Sequence, residues 1–378
     1  VQYNSDSLSA QAIESQASIT ADRMGLTVLS QDAESGLVHF KKEDADVEAL
    51  VDELKDNPNV EIAQPNFIYT LQSDYTPWGV GTNGDALGDS GVNADWVWEE
   101  GITGEGVVVA VVDSGVDYNH EDLKDNIWRN DDEICDNGED DDNNGYIDDC
   151  VGYDFFANND LYNTTKDNDP MDEEGHGTHV AGTIAAQLND IGVAGVAPEA
   201  TIMIAKNMSY RGEEFKTGPG SYGKTTTSTP AIEYAIENGA DVINMSFGGP
   251  PKNDKLPPDK LLQDAIDDGV SKGVVFVGAA GNDAETKPKY PASYENVISV
   301  SATDVSNEFW FYLCLDKEAN LILCGSNFGP TIDIAAPGVG ITSTVPSTYN
   351  LPDNGSQDPP VGIDGGGGTR IQRFDVFA

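Results

Sequence analysis

The sequence predicts an α/β protein: a doubly wound, mainly parallel sheet with a small α+β domain in front of it. Three observations carry this. Residues 107–112 are an unbroken apolar run that stops at Asp113-Ser114-Gly115, as a parallel strand buried on both faces reads. Similar runs recur at 201–205, 241–245, 274–277 and 297–300. Helical patterns at 180–188, 230–237 and 259–272 lie between several of them, and strands alternating with helices argue a doubly wound sheet. Ligands of such sheets bind beyond the carboxyl ends of the strands. Asp113, Ser246-Phe247-Gly248-Gly249 and Gly281-Asn282 fall there.

Taken in order, residues 1–72 read as the small α+β unit. A short strand is expected at 36–40, and Val47, Leu50, Val51 and Leu54 follow at helical spacing. Asn57-Pro58-Asn59 ends that helix, and 60–71 return as an extended run. Residues 73–95, with Pro77 and five glycines, read as a linker. The larger domain is expected over 73–349, with an acidic insert at 130–174. The tail from 350 to 378 has no periodicity and carries four consecutive glycines, Gly365 to Gly368, so it reads as disordered.

Twenty basic against 66 acidic residues in 378 give a formal charge of −46. Such a chain repels phosphates, which excludes nucleic acid as a partner and disfavours anionic membranes. No apolar run approaches the ~20 residues that cross a bilayer. The acidity suits a salty or calcium-containing medium, and equally it suits ordinary solubility. The four cysteines form two local pairs, Cys135 with Cys150 and Cys314 with Cys324, and neither has the CxxC spacing of a zinc site. Paired, they imply an oxidising, extracellular location; four buried thiols are the alternative. No signal peptide is visible at Val1, which is not an initiator methionine, and the true start is expected upstream. A monomer is expected.

The segment Gly175-His176-Gly177-Thr178-His179-Val180-Ala181-Gly182 organises the rest. A histidine framed by glycines at a helix start suits a general base, although alone it also reads as a structural histidine. An aspartate at a strand end, Asp113, would orient it, and an amide after a glycine turn, Asn282, could donate to an oxyanion. Within the insert, Asp140, Asp142, Asn144, Gly145 and Asp148 match D-x-[DN]-x-[DN]-G-x-x-D, the first nine positions of a calcium loop. Val151 stands at position twelve, where a full EF-hand has glutamate. A solvated acidic loop is the alternative. His120 and His179 read as structural, and Asp117 as a loop carboxylate.

On these motifs the chain resembles the subtilisin-like serine proteases, subtilases with an inhibitory propeptide. Val111-Val112-Asp113-Ser114-Gly115-Val116 resembles the family's aspartate motif, and 176–182 its histidine motif without gaps. The resemblance implies that Asp113 is the triad acid, His176 the base and Asn282 the oxyanion donor. It implies that Ser246, Phe247 and Gly248 pair with the substrate backbone, and that with Ala279, Ala280 and Gly281 they wall the pocket before the scissile bond. Asp122 resembles a family calcium ligand. Residues 24–71 look like the propeptide, with self-cleavage expected near 69–74.

The family's nucleophile lies in Gly-Thr-Ser-x-Ala-x-Pro at the start of a helix that packs on the sheet. The motif is absent here: Ser343, Ser347 and Ser356 lack its glycine, threonine and helix. Two readings follow: a secreted endopeptidase whose sequence is truncated before the serine, or a non-catalytic relative that binds peptide and calcium. A calcium-dependent adhesion module, the third, leaves the histidine motif unexplained. The propeptide is expected to stay attached, with its tail in the substrate cleft.

Overall fold

The computed structural model describes residues 1–5, 7–32, 35–42, 45–66, 68–71, 92–156, 166–189, 191–210, 221–249, 259–304, 308–315, 321–347 and 371–374. Side chains are described for these except 68–71, 210, 221, 313–315, 321–322 and 371–374.

The N-terminal unit comprises β1 (Gln2–Tyr3), α1 (Ala10–Met24), β2 (Thr27–Asp32), β3 (Leu37–Lys41), α2 (Val47–Lys55) and β4 (Val60–Ile62). Its antiparallel sheet has the order β2-β3-β1-β4. Helix α1 was not foreseen. Its inward face is Ile13, Ala17, Thr20, Ala21 and Met24, and with small or polar side chains between Ile13 and Met24 the periodic signal is weak. Its ends are conventional: Ser9 accepts from the Ala12 N–H, and Gly25 leaves in the left-handed region at φ 64°. Tyr3 is fully buried against this helix, and its hydroxyl donates to Thr20 Oγ1 at 2.9 Å.

The next strand, β5 (Ile68–Leu71), leaves this sheet and joins another, described below. The larger unit then runs α3 (Ala94–Glu99), β6 (Val108–Asp113), β7 (Gly152–Asp154), α4 (His176–Ala185), β8 (Thr201–Lys206), β9 (Met208–Tyr210), β10 (Ser221–Lys224), α5 (Thr225–Glu237), β11 (Val242–Met245), β12 (Phe247–Gly248), α6 (Lys260–Ser271), β13 (Val275–Ala279) and β14 (Val297–Thr303). It closes with β15 (Phe311–Leu315), β16 (Leu321–Gly325), β17 (Ile334–Pro337), β18 (Ile341–Thr344) and β19 (Ile371–Phe374).

Seven strands form one parallel sheet in the order β17-β14-β13-β11-β6-β8-β7. An interior strand, β6, shows why the apolar run reads so clearly: Ala110, Val111 and Val112 are all wholly buried. Alternate residues serve two cores. Ala110 and Val112 face α5 and α6 with Met203, Ile243 and Phe276, while Val109 and Val111 face Val180, Ala181 and Ala185 of α4. Each fully buried valine contributes about 1.5–3 kcal/mol.

The α4 face is covered unevenly. Val242 is the register partner of both Val109 and Val275, and Asn244 that of Val111 and Val277, so these side chains share a face. Further along it, Val275 is 42% exposed, Ile298 41% and Ile334 55%. No described helix lies over this part of the sheet.

Two expectations need correction. The α4 helix starts four residues before 180, at His176. The tail is not structureless throughout: β19 pairs antiparallel with β18, Ile341 opposite Phe374 and Thr344 opposite Ile371. An extended Ile-Gln-Arg-Phe segment can satisfy its backbone on an open strand edge without a hydrophobic core of its own. The rest of 350–378, and the linker core 72–91, lie outside the described residues.

The uneven cover makes a stability prediction. Ile298→Lys or Val275→Lys is expected to change unfolding free energy by no more than about 0.5 kcal/mol. Phe276→Ala, on the covered face, is expected to cost about 3–5 kcal/mol. Urea melts of the three variants check the contrast.

Candidate active site

Asp113 is the last residue of β6 and His176 the first of α4, and they meet where α4 crosses the β6 turn. The approach depends on glycine. A side chain at Gly177 would place its Cβ 2.0 Å from the carbonyl oxygen of Gly115, a clash no rotamer can relieve. At the far end of the turn, a Cβ on Gly182 would meet Thr344 Oγ1 at 2.2 Å. There β18 locks the helix: Ser343 and Thr344 donate to the carbonyls of His179 and Thr178.

His176 Nδ1 lies 2.8 and 2.9 Å from the two carboxylate oxygens of Asp113. A carboxylate only accepts, so Nδ1 carries the hydrogen and Nε2 is the atom left to take a proton. Both side chains are buried, at 4% and 1% exposure. Burial opposes the imidazolium, but the charge and hydrogen bond of Asp113, then the charges of Glu174 and Asp172, outweigh it and hold His176 above its ordinary value. Burial pushes Glu174, whose carboxylate accepts from the His176 N–H, up to about 7.

Ser246 follows β11, and Phe247-Gly248 form β12. Ala279 ends β13, and Ala280, Gly281 and Asn282 continue it, Gly281 with φ 100°. Since β13, β11 and β6 are neighbours, these residues and Asp113 share one edge of the sheet. A residue not anticipated from sequence, Asn327, holds the turn. It is 1% exposed; its N–H donates to Gly281 O, its Nδ2 to Ala280 O, and its Oδ1 accepts from the Asp283 and Glu285 N–H groups.

A second sheet, β12-β5-β10-β9, borders this edge. Its β5 comes from the N-terminal segment. It runs antiparallel to both neighbours, Leu71 opposite Phe247, Thr70 opposite Gly248 and Tyr222, and Ile68 opposite Lys224. Two amides anchor the segment just before it. Gln64 Oε1 accepts from the first-turn N–H groups of α6, Lys260 and Leu261, and its Nε2 donates to Asp259, the residue capping that helix. Asn66 Oδ1 accepts from the Thr226 N–H in the first turn of α5, and its Nδ2 donates to Thr226 Oγ1 and to His39 Nε2. Both satisfy donors that a helix start leaves open.

The acidic insert is organised differently from a linear calcium loop. Asp140 and Asp142 come together with Glu133, a ligand-type residue not anticipated, the candidate ligand atoms lying within 4.8 Å of one another. Asn144 stays beside them, donating to Asp142. Asp148 turns to the N–H groups of Asn137 and Gly138 instead. Asp149, wholly buried, ties the loop to α5 through the Tyr234 hydroxyl at 2.6 Å. The Cys135–Cys150 disulfide brackets the loop. Cys324 is disulfide-bonded too, while the side chain of Cys314 lies outside those described. Asp122 is wholly buried beyond the other end of α4; its Oδ2 accepts from Val193 N–H, and its buried Oδ1 has no hydrogen-bond partner among the described residues. His120 Nδ1 accepts from the Asp122 N–H, and His179 Nε2 lies 3.2 Å from Ile341 O, as structural histidines would. Asp117 accepts from Ser347.

A doubly wound sheet with an aspartate–histidine pair at its carboxyl edge defines the class of protein, and comparison with known families agrees. Residues 104–359 match the subtilase family, and residues 1–66 match the fervidolysin N-terminal prodomain. The chain belongs to the subtilase family. It is 34% identical over 300 residues to a thermophilic serine proteinase of Bacillus sp. (strain AK1), covering 79% of this chain and 60% of that one. It is 33% identical over 318 residues to subtilisin NAT of Bacillus subtilis subsp. natto, covering 83% and 66%. The fold is similar to that of fervidolysin from Fervidobacterium pennivorans, described as a keratinolytic enzyme related to subtilisin. The TM-score is 0.61 at 23% identity, over 96% of this chain and 50% of that one. The chain thus spans 60% and 66% of the length of those two relatives.

His39 makes prodomain docking pH-dependent. Burial, then the Lys224 ammonium of the larger unit, lowers it to about 4, below the ordinary histidine value of about 6.5. The docked form therefore binds fewer protons, and docking weakens as pH falls through 6.5 towards 4. Hydrogen exchange at β5, corrected for intrinsic rates, is expected to lose protection across that window. His39→Gln is expected to flatten the response.

Proposed function

We propose that this chain binds an extended polypeptide between β10 and β12 and presents a carbonyl to the acid–base pair of a serine endopeptidase. One observation carries the reading: the buried Asp113–His176 pair stands at the same sheet edge where β5 is already held as an extended middle strand. The names of the relatives, a serine proteinase and a subtilisin, support the reaction class.

In the complete reaction a serine hydroxyl attacks the carbonyl while His176 Nε2 takes its proton. Asp113 keeps the imidazole in the required tautomer and stabilises its cation. The Asn282 amide donates to the oxyanion, a contribution of about 3–4 kcal/mol at such sites. His176 then returns the proton to the leaving amine, and water releases the acyl group. Ser246 to Gly248 and Ala279 to Gly281 would wall the site of the residue before the scissile bond.

No residue of this chain is assigned as nucleophile. Gly-Thr-Ser-x-Ala-x-Pro does not occur in it, Ser343 donates to His179 O, and Ser347 is bonded to Asp117. Ser356 lies outside the described residues. The alternative reading is non-catalytic binding of peptide and calcium.

Calcium is proposed at two places. Glu133, Asp140 and Asp142 offer hard oxygen donors with Asn144 beside them, Glu133 supplying the carboxylate that Val151 cannot. The buried Asp122 Oδ1, without a hydrogen-bond partner among the described residues, fits a cation as well. A structural ion at either place would tie its loop to the domain. We also propose that the prodomain remains bound in cis, that the chain is monomeric, and that the disulfides place it outside the cytoplasm.

Two measurements test this. The chain is expected to release no product from a chromogenic peptide above the rate of its His176→Ala variant; faster release would place a nucleophile within these residues. Calcium at a hundred times its dissociation constant is expected to stabilise the fold by about 2.7 kcal/mol, and Glu133→Ala to remove part of that gain. A melt indifferent to calcium and chelator would remove calcium from the proposal.

A further inference from the structure

Asp172 takes no part in the reaction just described, yet it is 1% exposed and lies four residues before His176. Its carboxylate joins the two loops that meet at the acid–base pair. Oδ1 accepts from the Glu174 and Gly175 N–H groups, each at 2.9 Å, and from Ser114 Oγ at 3.0 Å. Oδ2 accepts from the Thr178 N–H at 3.0 Å and from Thr178 Oγ1 at 2.6 Å. The two hydroxyls pass the connection on. Ser114 Oγ accepts from the Gly177 N–H at 2.9 Å, and Thr178 Oγ1 accepts from the Asp117 N–H at 2.9 Å. Ser114 adjoins Asp113, and Gly177 adjoins His176, so each partner of the pair has a neighbour tied to the same carboxylate.

We infer that Asp172 is the positioning residue of this site, a buried anion that clamps the Asp113–Ser114 turn to the first turn of α4 and so sets the Asp113–His176 contact. Three features require the charge and not only the shape. All five of its hydrogen-bond partners are donors, and a carboxylate is the side chain that accepts at both oxygens without offering a hydrogen. The acceptor sits at the N-terminal turn of α4, where a negative charge is favoured. No cation is among these hydrogen-bond partners, so backbone and hydroxyl dipoles compensate the buried charge. In Asp172→Asn one of the two donor sets, three at Oδ1 or two at Oδ2, must face an NH2 group, and the clamp opens on that side.

The inference rests on the acid–base reading of Asp113 and His176, and its test separates the two. The full chain, labelled with nitrogen-15 histidine, is followed by NMR for the downfield Nδ1 proton of His176 and for its titration. Four variants are compared: Asp113→Asn, Asp172→Asn, Asp172→Ala and Ser114→Ala. Asp113→Asn is expected to abolish the downfield proton. The Asp172 variants are expected to keep a cooperative melt and β5 exchange protection while the downfield proton broadens or moves. Proton affinity at Nε2 is expected to fall about tenfold. Ser114→Ala, which removes the two Ser114 hydrogen bonds and leaves the Thr178 and Gly175 links, is expected to shift both signals in the same direction by less. If Asp113→Asn leaves the His176 signals unchanged, the acid–base reading fails. If it abolishes them while Asp172→Asn matches the parent, the positioning role alone is overturned. Should the Asp172 variants not fold, Ser114→Ala decides: parent-like signals overturn the role and displaced signals support it.

Discussion

A carboxylate at the end of a buried strand sets the terms for everything around it. Asp113 is 1% exposed, and an ion removed from water survives only where hydrogen bonds and opposite charge replace its hydration. The Ser114 N–H meets one oxygen, and His176 Nδ1 bridges both. For the imidazole to reach, α4 must touch the β6 turn, which dictates Gly177 and a firm hold on the helix from β18. The carboxylate in turn raises the proton affinity of the base. Strand, turn, helix and chemistry therefore answer to one buried charge.

The N-terminal segment is held by the same economy of unsatisfied groups. Gln64 and Asn66 are amides, so they cap α6 and α5 without bringing negative charge into a chain of net charge −46. They are neutral at every relevant pH, which leaves His39 as the titrating neighbour of the Asn66 contact. Between them the caps place β5 in a sheet whose other strands belong to the larger unit.

The sequence declares some of this and conceals the rest, for identifiable reasons. The run at 107–112 is legible because both faces of β6 are buried, so nothing polar interrupts it. Asp113 and His176 are legible because glycines and a helix start frame them in fixed order. Helix α1 is not, because Ala17, Thr20 and Ala21 fill the middle of its inward face with small or polar side chains. Glu133, Asp172 and Asn327 are invisible for another reason. Their partners are set by how the chain folds back in space, and a lone Glu, Asp or Asn between loops carries no periodic mark. The EF-hand spacing selects Asp140 and Asp142 correctly for the carboxylate cluster, but Asp148 finds backbone donors closer than any shared centre.

The order β12-β5-β10 has a consequence for what the groove can hold. The two outer strands do not bond to each other there; they meet through whatever lies between. β12 is only two residues long, so the middle position supplies much of its ordering. On the proposed reading, in which an extended guest takes the place of β5, recognition is of backbone first, since the guest pairs by main chain with strands on both sides. A helix satisfies its main-chain groups internally and has none to offer. A folded guest is therefore engaged only where a stretch of it can come loose, and the free energy of that local opening becomes part of its affinity. Selection along a target then follows the map of its weakest segments as much as its residue order.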